Sequence, residues 1–399
     1  MKNLLQLALL PLLAAGIMSC SSDNNGPDKG KDQDDIEIKQ IAVDSTDLTE
    51  ATEIIPTDEA DSTYNDYVEH AKTTRSISLK FNGNSVTTSG DVDAVTITTS
   101  GAHVIIKSSS KNVAYSLSGS SSNGSVKIYS SNKYKLELNG LTLTSPNGAA
   151  INNQCGKSLY LILADGTTNT LRDGKSYTMV AGEDMKGTLF SEGQILISGK
   201  GSLNVTANAR NGICSDDYIL VRPGCKIFVN STAGNAIKAN DGVTINGGVI
   251  NLIASANGAK GINCEKNINF NGGRTTIIHS GSTLVQANDT TGCAGVKADS
   301  TINVTAGTIN VKCSGEGAKG FNSDYDINIG GGTVNIVTLG AKKNTAPKGM
   351  KAERNISILG GSVYSYSANS TPVDAKATLK LGDTPKEQKS GTRYFIISF

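Results

Sequence analysis

The chain has 399 residues, with 37 basic and 36 acidic side chains and a formal net charge of +1. A chain this close to neutral gives no global electrostatic case for nucleic acid, so no nucleic acid partner is expected. Hydrophobic residues make up 37% of the sequence, Gly occurs 44 times and Trp is absent. This composition is typical of a solenoid built from small coils and does not suit one large globular core.

The first twenty residues read as a targeting signal. Lys2 precedes an apolar run from Leu4 to Ile17, which is too short to span a bilayer. The run ends in IMSC, a loose version of the bacterial lipobox. We interpret residues 1–20 as a lipoprotein signal peptide with lipidation at Cys20; an ordinary cleaved signal peptide is the alternative. An exported lipoprotein is expected, attached through its lipid to the outer membrane or the cell surface.

Residues 21–76 are interpreted as a tether followed by an N-terminal cap region. Residues 21–40 are polar and acidic, and they cannot bury enough apolar surface to fold. This composition after Cys20 is typical of surface lipoproteins of Bacteroides-like bacteria. Residues 41–75 are acidic and mixed, and one short helix is predicted around Asp58–Lys72.

Residues 77–399 are predicted to form one repetitive domain. The segment GFNSDYDINIGGG, anchored at Gly320, recurs with anchors at Thr188, Gly212, Ala236, Gly261, Gly295 and Gly349. The anchor spacings are 24, 24, 25, 34, 25 and 29 residues. Each copy holds three short runs of alternating, β-branched residues separated by Gly, Asn and Asp, which indicates strands. The pattern predicts an all-β, right-handed parallel β-helix with three strands per coil and about 24–25 residues per coil.

The repeat also predicts which side chains face inward. Position +1 from each anchor is apolar, and we expect these residues to stack as an inward ladder: Ile213, Ile237, Ile262, Val296, Phe321 and Met350. Cys264, Cys313 and His279 fall at other inward positions and are predicted to fill the core. The cysteines show no paired C-x-x-C spacing, so no zinc or redox site is expected, and the sequence assigns no disulfide.

Positions +2 and +4 are predicted to point outward, because strand side chains alternate between faces. Position +4 is mostly acidic: Glu192, Asp216, Asn240, Glu265, Asp299, Asp324 and Glu353. Position +2 holds Cys214, Lys238, Asn263, Lys297, Asn322 and Lys351, and position −1 adds Lys260, Lys319 and Lys348.

A row of acids at one register needs positive partners. Coils lie about 4.8 Å apart, and at an effective dielectric of ~20 each neighbouring pair of charges repels by about 3 kcal/mol. Calcium, which prefers carboxylate and carbonyl oxygens, is the first interpretation. The predicted ligands are Asp216, Asp217, Asn240, Asp241, Glu265, Asp299 and Asp324. The alternative is a solvated ladder of Lys–Asp pairs, each contributing about 0–1 kcal/mol.

Polar and aromatic side chains on the outer faces suit sugar hydroxyls and rings. Two columns of Asn are expected, one at Asn269, Asn303 and Asn328 and one at Asn251, Asn310 and Asn335. Stacking of amides that only stabilises the coil is the alternative. Tyr218, Tyr325, Tyr364 and Tyr366 are candidates for stacking on a sugar ring.

Several segments together resemble one protein family. They are SLSGSSSNGSVKIYS, LELNGLTLTSPNGAAI, LADGTTNTLRDGK and the repeated G-[IVM]-K-A/S-[DE]…I-x-I-x-G-G. From roughly Ser76 to the C-terminus, the chain resembles the bacterial carbohydrate-binding family of pectate-lyase-like parallel β-helices first described in cellulolytic clostridia. The resemblance implies calcium along the helix surface and affinity for plant-type polysaccharide, including acidic sugars.

The lysine and acid positions of that family map onto Lys238, Lys297 with Asp299, and Lys351 with Glu353. Cys214 and Asn322 replace the lysine, and Asn240 replaces the acid, so the pattern departs from the family at those coils. The predicted carbohydrate-binding residues are Lys238, Lys297, Lys319, Lys351 and Tyr325.

Three functions remain open at this point. The first is a non-catalytic module that binds polysaccharide through calcium and lysine. The second is a calcium-dependent, pectate-type lyase in which Lys238 or Lys297 removes a proton during β-elimination. The third is an adhesin-like stalk without a specific glycan. No Lys or Arg breaks the repeat as a catalytic residue would be expected to, which favours binding.

Overall fold

The computed structural model describes residues 36–50, 52–287 and 289–399. The predicted signal peptide, the lipidation site at Cys20 and residues 21–35 of the tether lie outside the described residues. In the described part of the chain, no helix is long and apolar enough to cross a membrane.

The described chain is a parallel β-helix of about 11 turns, which confirms the predicted fold class. Its strands stack into three faces, each running the length of the helix. We call these face 1, face 2 and face 3, in the order in which each coil of the central repeat meets them.

Face 1 begins with the antiparallel strand Thr96–Ser100. Its parallel strands are Ala102–Ser108, Gly124–Ser130, Ile151–Asn153, Gly187–Ser191, Asn211–Ser215, Ile237–Ala239, Lys260–Cys264, Ala294–Ala298, Lys319–Ser323, Lys348–Ala352 and Val373–Ala375.

Face 2 begins with the antiparallel strand Ser85–Gly90. Its parallel strands are Arg75–Asn82, Val113–Ser121, Tyr134–Thr144, Leu159–Leu163, Ile195–Gly199, Tyr218–Val221, Gly242–Ile245, Ile268–His279, Ile302–Cys313, Ile327–Ile329, Ile356–Ile358 and Leu379–Leu381.

Face 3 shares the long strands Tyr134–Thr144, Ile268–His279 and Ile302–Cys313 with face 2, because each of these pairs with strands on both faces. Its other parallel strands are Thr168–Arg172, Ser202–Ala207, Lys226–Ser231, Val249–Ala254, Thr333–Thr338 and Ser362–Ser367. The antiparallel strands Tyr394–Ser398 and Glu387–Ser390 close its C-terminal end and cover a strand edge that would otherwise be open.

The core is the predicted ladder of stacked side chains. Ile237 pairs with Ile262, then Val296, Phe321 and Met350 in successive coils, and all are fully buried. The anchor at Gly320 has no room for a larger residue, because a Cβ there would overlap the Ile336 side chain and the Gly349 carbonyl.

The inward polar residues behave as predicted. Cys264, Cys313 and His279 have no exposed surface, and His279 Nε2 lies 2.9 Å from the Ala259 carbonyl. All six cysteines of the described chain are buried free thiols.

Three insertions project at the corner between face 3 and face 1. The first is the loop of residues 173–186, which we call the flap loop. The second holds the hairpin Leu284–Gln286 and Asp289–Thr291, which explains the longest anchor spacing. The third is the loop of residues 339–347, which contacts the second through Thr283 Oγ1 and Thr345 Oγ1, 2.9 Å apart. The second and third insertions are therefore in contact beside face 1.

Residues 36–72, which we call the strap, lie along the outside of the helix. The strap starts beside Tyr364 in a C-terminal coil, where the tyrosine hydroxyl donates to the Glu37 carbonyl at 3.1 Å. It then crosses face 3 and reaches Tyr160 on face 2, which donates to the Asn65 carbonyl at 2.6 Å. It therefore runs across many coils, against the direction in which the chain winds.

The strap contains two short 3-10 helices, Tyr64–Asp66 and Val68–His70, in place of the helix predicted around Asp58–Lys72. Its ends are held by apolar contacts. Ile41 packs with Val337, Tyr364 and Tyr366, and Ala71 packs with Tyr160, Leu196 and Leu220. A single helix does not form because this part of the strap is fixed by side-chain contacts with the coils beneath it.

Candidate glycan-binding face

Face 1 brings the predicted lysines into one column. The strand register places Lys238, Asn263, Lys297, Asn322 and Lys351 directly beside one another in five successive coils. We call this set the lysine column. Lysines thus recur in every second coil, about 10 Å apart at the usual strand spacing.

The acids of position +4 also line up. The backbone N–H groups of Glu265, Asp299 and Asp324 each donate to the residue before the matching position in the previous coil, at 3.3, 2.9 and 3.1 Å. Glu353 continues the series with a bond of 3.1 Å to Ser323. We call the +4 residues from Asp216 onward the acid rail: Asp216, Asn240, Glu265, Asp299, Asp324 and Glu353.

The lysine column and the acid rail are linked by ion pairs. Lys297 Nζ lies 2.8 Å from Asp299 in its own coil and 2.7 Å from Asp324 in the next. Lys238 reaches Glu265 at 3.6 Å, and Lys351 pairs with Glu353. These pairs match the alternative interpretation of a Lys–Asp ladder, and they offset the repulsion between neighbouring acids. Both lysines considered for a lyase, Lys238 and Lys297, are among them.

A second row of lysines lies at the start of the same strands. Lys319 is only 8% exposed, and its Nζ donates to the Gly317 carbonyl at 3.4 Å. Burial lowers the pKa of Lys319, and the charge of Lys351 lowers it further. Burial lowers the pKa of Lys260 in the same way, and the charge of Lys297 lowers it further. Lys348 pairs with Asp374 at 3.1 Å.

The N-terminal part of face 1 is covered by the flap loop. Cys214 occupies the lysine register and points outward as predicted, but it is fully buried, together with Phe190 in the coil before it. Lys186 of the flap loop lies over the Phe190 ring, 5.9 Å from its centre. The open part of face 1 therefore begins at Lys238.

The flap loop also completes an acidic cluster. Asp184, Glu192 and Asp216 bring carboxylate oxygens within 4.8 Å of one another. Lys186 Nζ lies 2.7 Å from Asp184 and 2.6 Å from Asp216. Burial raises the pKa of Glu192, and the negative charges of Asp216 and Asp184 raise it further. The cluster thus holds more negative charge than Lys186 alone balances.

Two buried oxygens near this cluster lack a hydrogen-bond partner. They are Oδ1 of Asp216 and Oδ1 of Asn240, which lie at the same register in adjacent coils. Unpaired buried acceptors cost free energy, so they fit a bound cation. Of the predicted metal ligands, Asp216 and Asn240 lie here.

The other predicted metal ligands lie apart from the cluster. Asp217 accepts hydrogen bonds from Gln194 and from the backbone of Tyr218. Asp241, Glu265, Asp299 and Asp324 are exposed, and the last three pair with lysines. Among the described residues, the Asp184 cluster is where three carboxylates converge.

Amide ladders account for the predicted Asn columns. Asn303 donates to Asn269 at 2.9 Å and Asn328 donates to Asn303 at 3.0 Å. Asn335 donates to Asn310 at 2.9 Å in the same way. These bonds join successive coils, as in the alternative interpretation of the columns.

The strap removes most of the predicted sugar-stacking tyrosines from the surface. Tyr364 and Tyr366 are buried beneath it, and Tyr218 donates to Asp66 of the strap. Asn251 is only 2% exposed and exchanges two hydrogen bonds with the Asp44 backbone. These residues are therefore unavailable to a glycan while the strap is docked.

Tyr325 remains accessible, with 48% of its surface exposed. It lies at the end of face 1, one residue after Asp324 of the acid rail. The Arg354 guanidinium lies 5.5 Å from the centre of its ring, which holds the ring in place. Tyr325 thus borders the lysine column.

Two features of this region could not be assigned from the repeat. The flap loop contributes Asp184 and Lys186 from outside any repeated position. The strap carries acids at every third residue, Asp44, Asp47, Glu50 and Glu53, and this spacing was its one sequence signal.

The fold and this face define a parallel β-helix with one long, charged, open face. The profile of a family described as carbohydrate-binding domain-containing protein matches residues 91–391. The chain therefore belongs to this carbohydrate-binding domain family.

Two similar proteins give further context. A carbohydrate-binding domain-containing protein from Acetivibrio thermocellus is 29% identical over 114 residues, which cover 28% of this chain and 40% of that protein. A solved structure of a polysaccharide lyase-like protein from C. thermocellum, a gadolinium derivative, aligns with a TM-score of 0.44 and 19% identity. That alignment covers 77% of this chain and 97% of the other.

Proposed function

We propose that this protein binds an acidic polysaccharide along face 1 without cleaving it. The observation that carries the proposal is the lysine column, which presents ammonium groups at one register in every second coil. Family membership supports a carbohydrate ligand, and repeated lysines favour a polymer with repeated carboxylates. Asn263 and Asn322, between the lysines, offer donors and acceptors for hydroxyl groups.

The lysines are held by the acid rail but not sealed beneath the surface. The side chains of Lys238 and Lys351 remain 26% and 23% exposed, and the acids they contact are about half exposed. Exposed pairs of this kind contribute little, about 0–1 kcal/mol each, so a glycan carboxylate can replace the acid at modest cost. Tyr325 supplies an apolar ring surface at the border of the column.

Replacing Lys297 with Gln is expected to weaken binding of polygalacturonate about tenfold, because one charge-assisted contact is lost. Lys380→Gln, an exposed lysine on face 2, removes the same charge and should leave the affinity unchanged. Calorimetry at low and moderate salt measures both variants. Equal affinities for the two would rule out the lysine column as the binding site. Absorbance of unsaturated uronates in the same samples tests for lyase activity.

We propose that calcium belongs to the same function, bound where the acidic cluster meets the acid rail. Asp184, Glu192 and Asp216, with Asn240, would hold the ion. Bound calcium supplies positive charge next to a face that has to attract an anionic polymer. The unpaired oxygens of Asp216 and Asn240 support this position.

Asp216→Asn is expected to weaken calcium binding at least about tenfold, because one charged ligand is lost where the site already lacks donors. Asp241→Asn removes the same charge one coil away, outside the cluster, and should change the affinity little. Calorimetric titration of the EDTA-stripped protein measures both. If Asp241→Asn loses more calcium affinity than Asp216→Asn, the ion lies beside Asp241, another of the ligands predicted from the sequence.

The placement of this domain is also part of the proposal. Lipidation at Cys20 would hold the helix at the cell surface, with residues 21–35 as the tether.

A further inference from the structure

The chain is nearly neutral overall because an acidic segment and a basic segment offset each other. The strap, residues 36–72, carries ten acidic side chains and two lysines. Residues 73–399 carry 32 basic and 21 acidic side chains, a net charge of +11. The helix body is therefore basic, and the strap is a polyanion that lies on it.

The middle of the strap engages cationic and N–H donors on face 3. Asp44 lies 3.2 Å from Arg274, and Asp47 lies 2.5 Å from Lys226. The carboxylate of Glu50 accepts hydrogen bonds from the backbone N–H groups of Gly224 and Gly248, at 2.7 and 2.6 Å.

The spacing of Asp44 and Asp47 follows the spacing of the coils. Three extended residues span about 10 Å, which is the rise of about two coils. Lys226 and Arg274 lie two coils apart on face 3, because the strand Val249–Ala254 pairs with both of their strands. The strap thus presents one carboxylate to each of these two cations. Glu50 then accepts from two backbone N–H groups, that of Gly224 in the coil of Lys226 and that of Gly248 in the next coil.

We propose that face 3 beneath the strap is a second surface for an acidic polysaccharide, and that the strap closes it as an intramolecular competitor. Arg274, Lys226 and the N–H groups of Gly224 and Gly248 are the recognition groups. A polymer of uronic acids can supply the row of carboxylates that the strap now supplies. This inference rests on the proposed function, since the competing polymer belongs to the same class.

The competition has a defined consequence for affinity. Only molecules with an undocked strap can bind at face 3. The apparent association constant is therefore the intrinsic one multiplied by the undocked fraction. The apolar ends of the strap at Ile41 and Ala71 remain anchored, so the acidic middle is the part that yields.

The test neutralises the middle of the strap without touching the helix body. The variant Asp44→Asn/Asp47→Asn/Glu50→Gln removes the three carboxylates that contact face 3. The matched control, Asp58→Asn/Glu59→Gln/Asp61→Asn, removes the same charge from exposed positions; the side-chain bonds of Asp58 and Asp61 stay within the strap. Both are made in the full-length chain.

The contact variant, Asp44→Asn/Asp47→Asn/Glu50→Gln, is expected to bind polygalacturonate at least about tenfold more tightly than the control, or to show one more binding site per molecule. In the unaltered protein, polygalacturonate should speed hydrogen exchange in residues 42–50, and neutral dextran should not. Identical binding by the contact variant and the control overturns the inference. If Lys297→Gln still weakens binding in that case, the proposed function stands. Absence of polygalacturonate binding in every variant overturns both.

Discussion

Replacing Arg222 with Met is expected to detach part of the strap, at a cost of about 3–5 kcal/mol to its docking. The Arg222 side chain is only 8% exposed and pairs with Glu53 and Glu69 of the strap, both at 2.8 Å. Its guanidinium also lies 4.5 Å from the centre of the Tyr67 ring. Met fills similar volume but leaves the carboxylate of Glu53 without its partner in a site that is mostly buried.

Protection against exchange and proteolysis should be lost in the strap and not in the coils, because the strap can detach while the helix stays folded. Hydrogen exchange and limited proteolysis of residues 52–72 measure it. Arg354→Met is the control, since that side chain is 56% exposed and its pair with Asp326 is long, at 3.8 Å. Unchanged protection of the strap in Arg222→Met would show that Arg222 does not hold it.

Replacing Phe321 with Ala is expected to destabilise the helix by about 3–5 kcal/mol. Phe321 is fully buried in the inward ladder between Val296 and Met350. Its ring lies parallel to that of Phe270, with centres 6.2 Å apart. Truncation leaves a cavity that the neighbouring coils cannot fill without losing their hydrogen-bonded register.

Since each coil of a solenoid contacts only its neighbours, the effect should spread unevenly. We expect the coils around residues 295–352 to lose protection against hydrogen exchange before the coils around residues 113–163. Met179→Ala, a change at an exposed position of the flap loop, should alter stability by less than about 0.5 kcal/mol. A uniform loss of protection along the chain would contradict nearest-neighbour coupling.

The fold could be predicted because every repeat shows the same pattern of inward apolar positions and small anchor residues. Ile213, Ile262 and Val296 each occupy an inward position next to a glycine anchor that has no room for a side chain. The register that places them also places Glu265, Asp299 and Asp324 in one row, as predicted. Local alternation and coil spacing were sufficient for both results.

The strap could not be predicted in the same way. It has no strand or helix period, and its contacts join residues far apart in sequence, such as Glu53 with Arg222 and Lys39 with Asn335. The tyrosines beneath it, Tyr218 and Tyr364, therefore appeared available for sugar stacking. Their burial follows from tertiary contacts that no single repeat records.

The acidic cluster was predicted only in part for a similar reason. Asp216 was among the predicted metal ligands, whereas Glu192, at a repeat position, was not, and Asp184 comes from the flap loop. The repeat also gave no way to choose between calcium and lysine as partners of the acids. In the structure, lysines serve the exposed part of the acid rail, and the unpaired oxygens lie at its buried end.

Lysine footprinting tests the binding face most directly. The full-length protein is acetylated in calcium buffer with and without polygalacturonate, and the modification of each lysine is measured by mass spectrometry. We expect the polymer to protect Lys238, Lys297 and Lys351 and to leave Lys380 on face 2 unchanged. Protection of Lys380 with none in the lysine column would contradict binding along face 1.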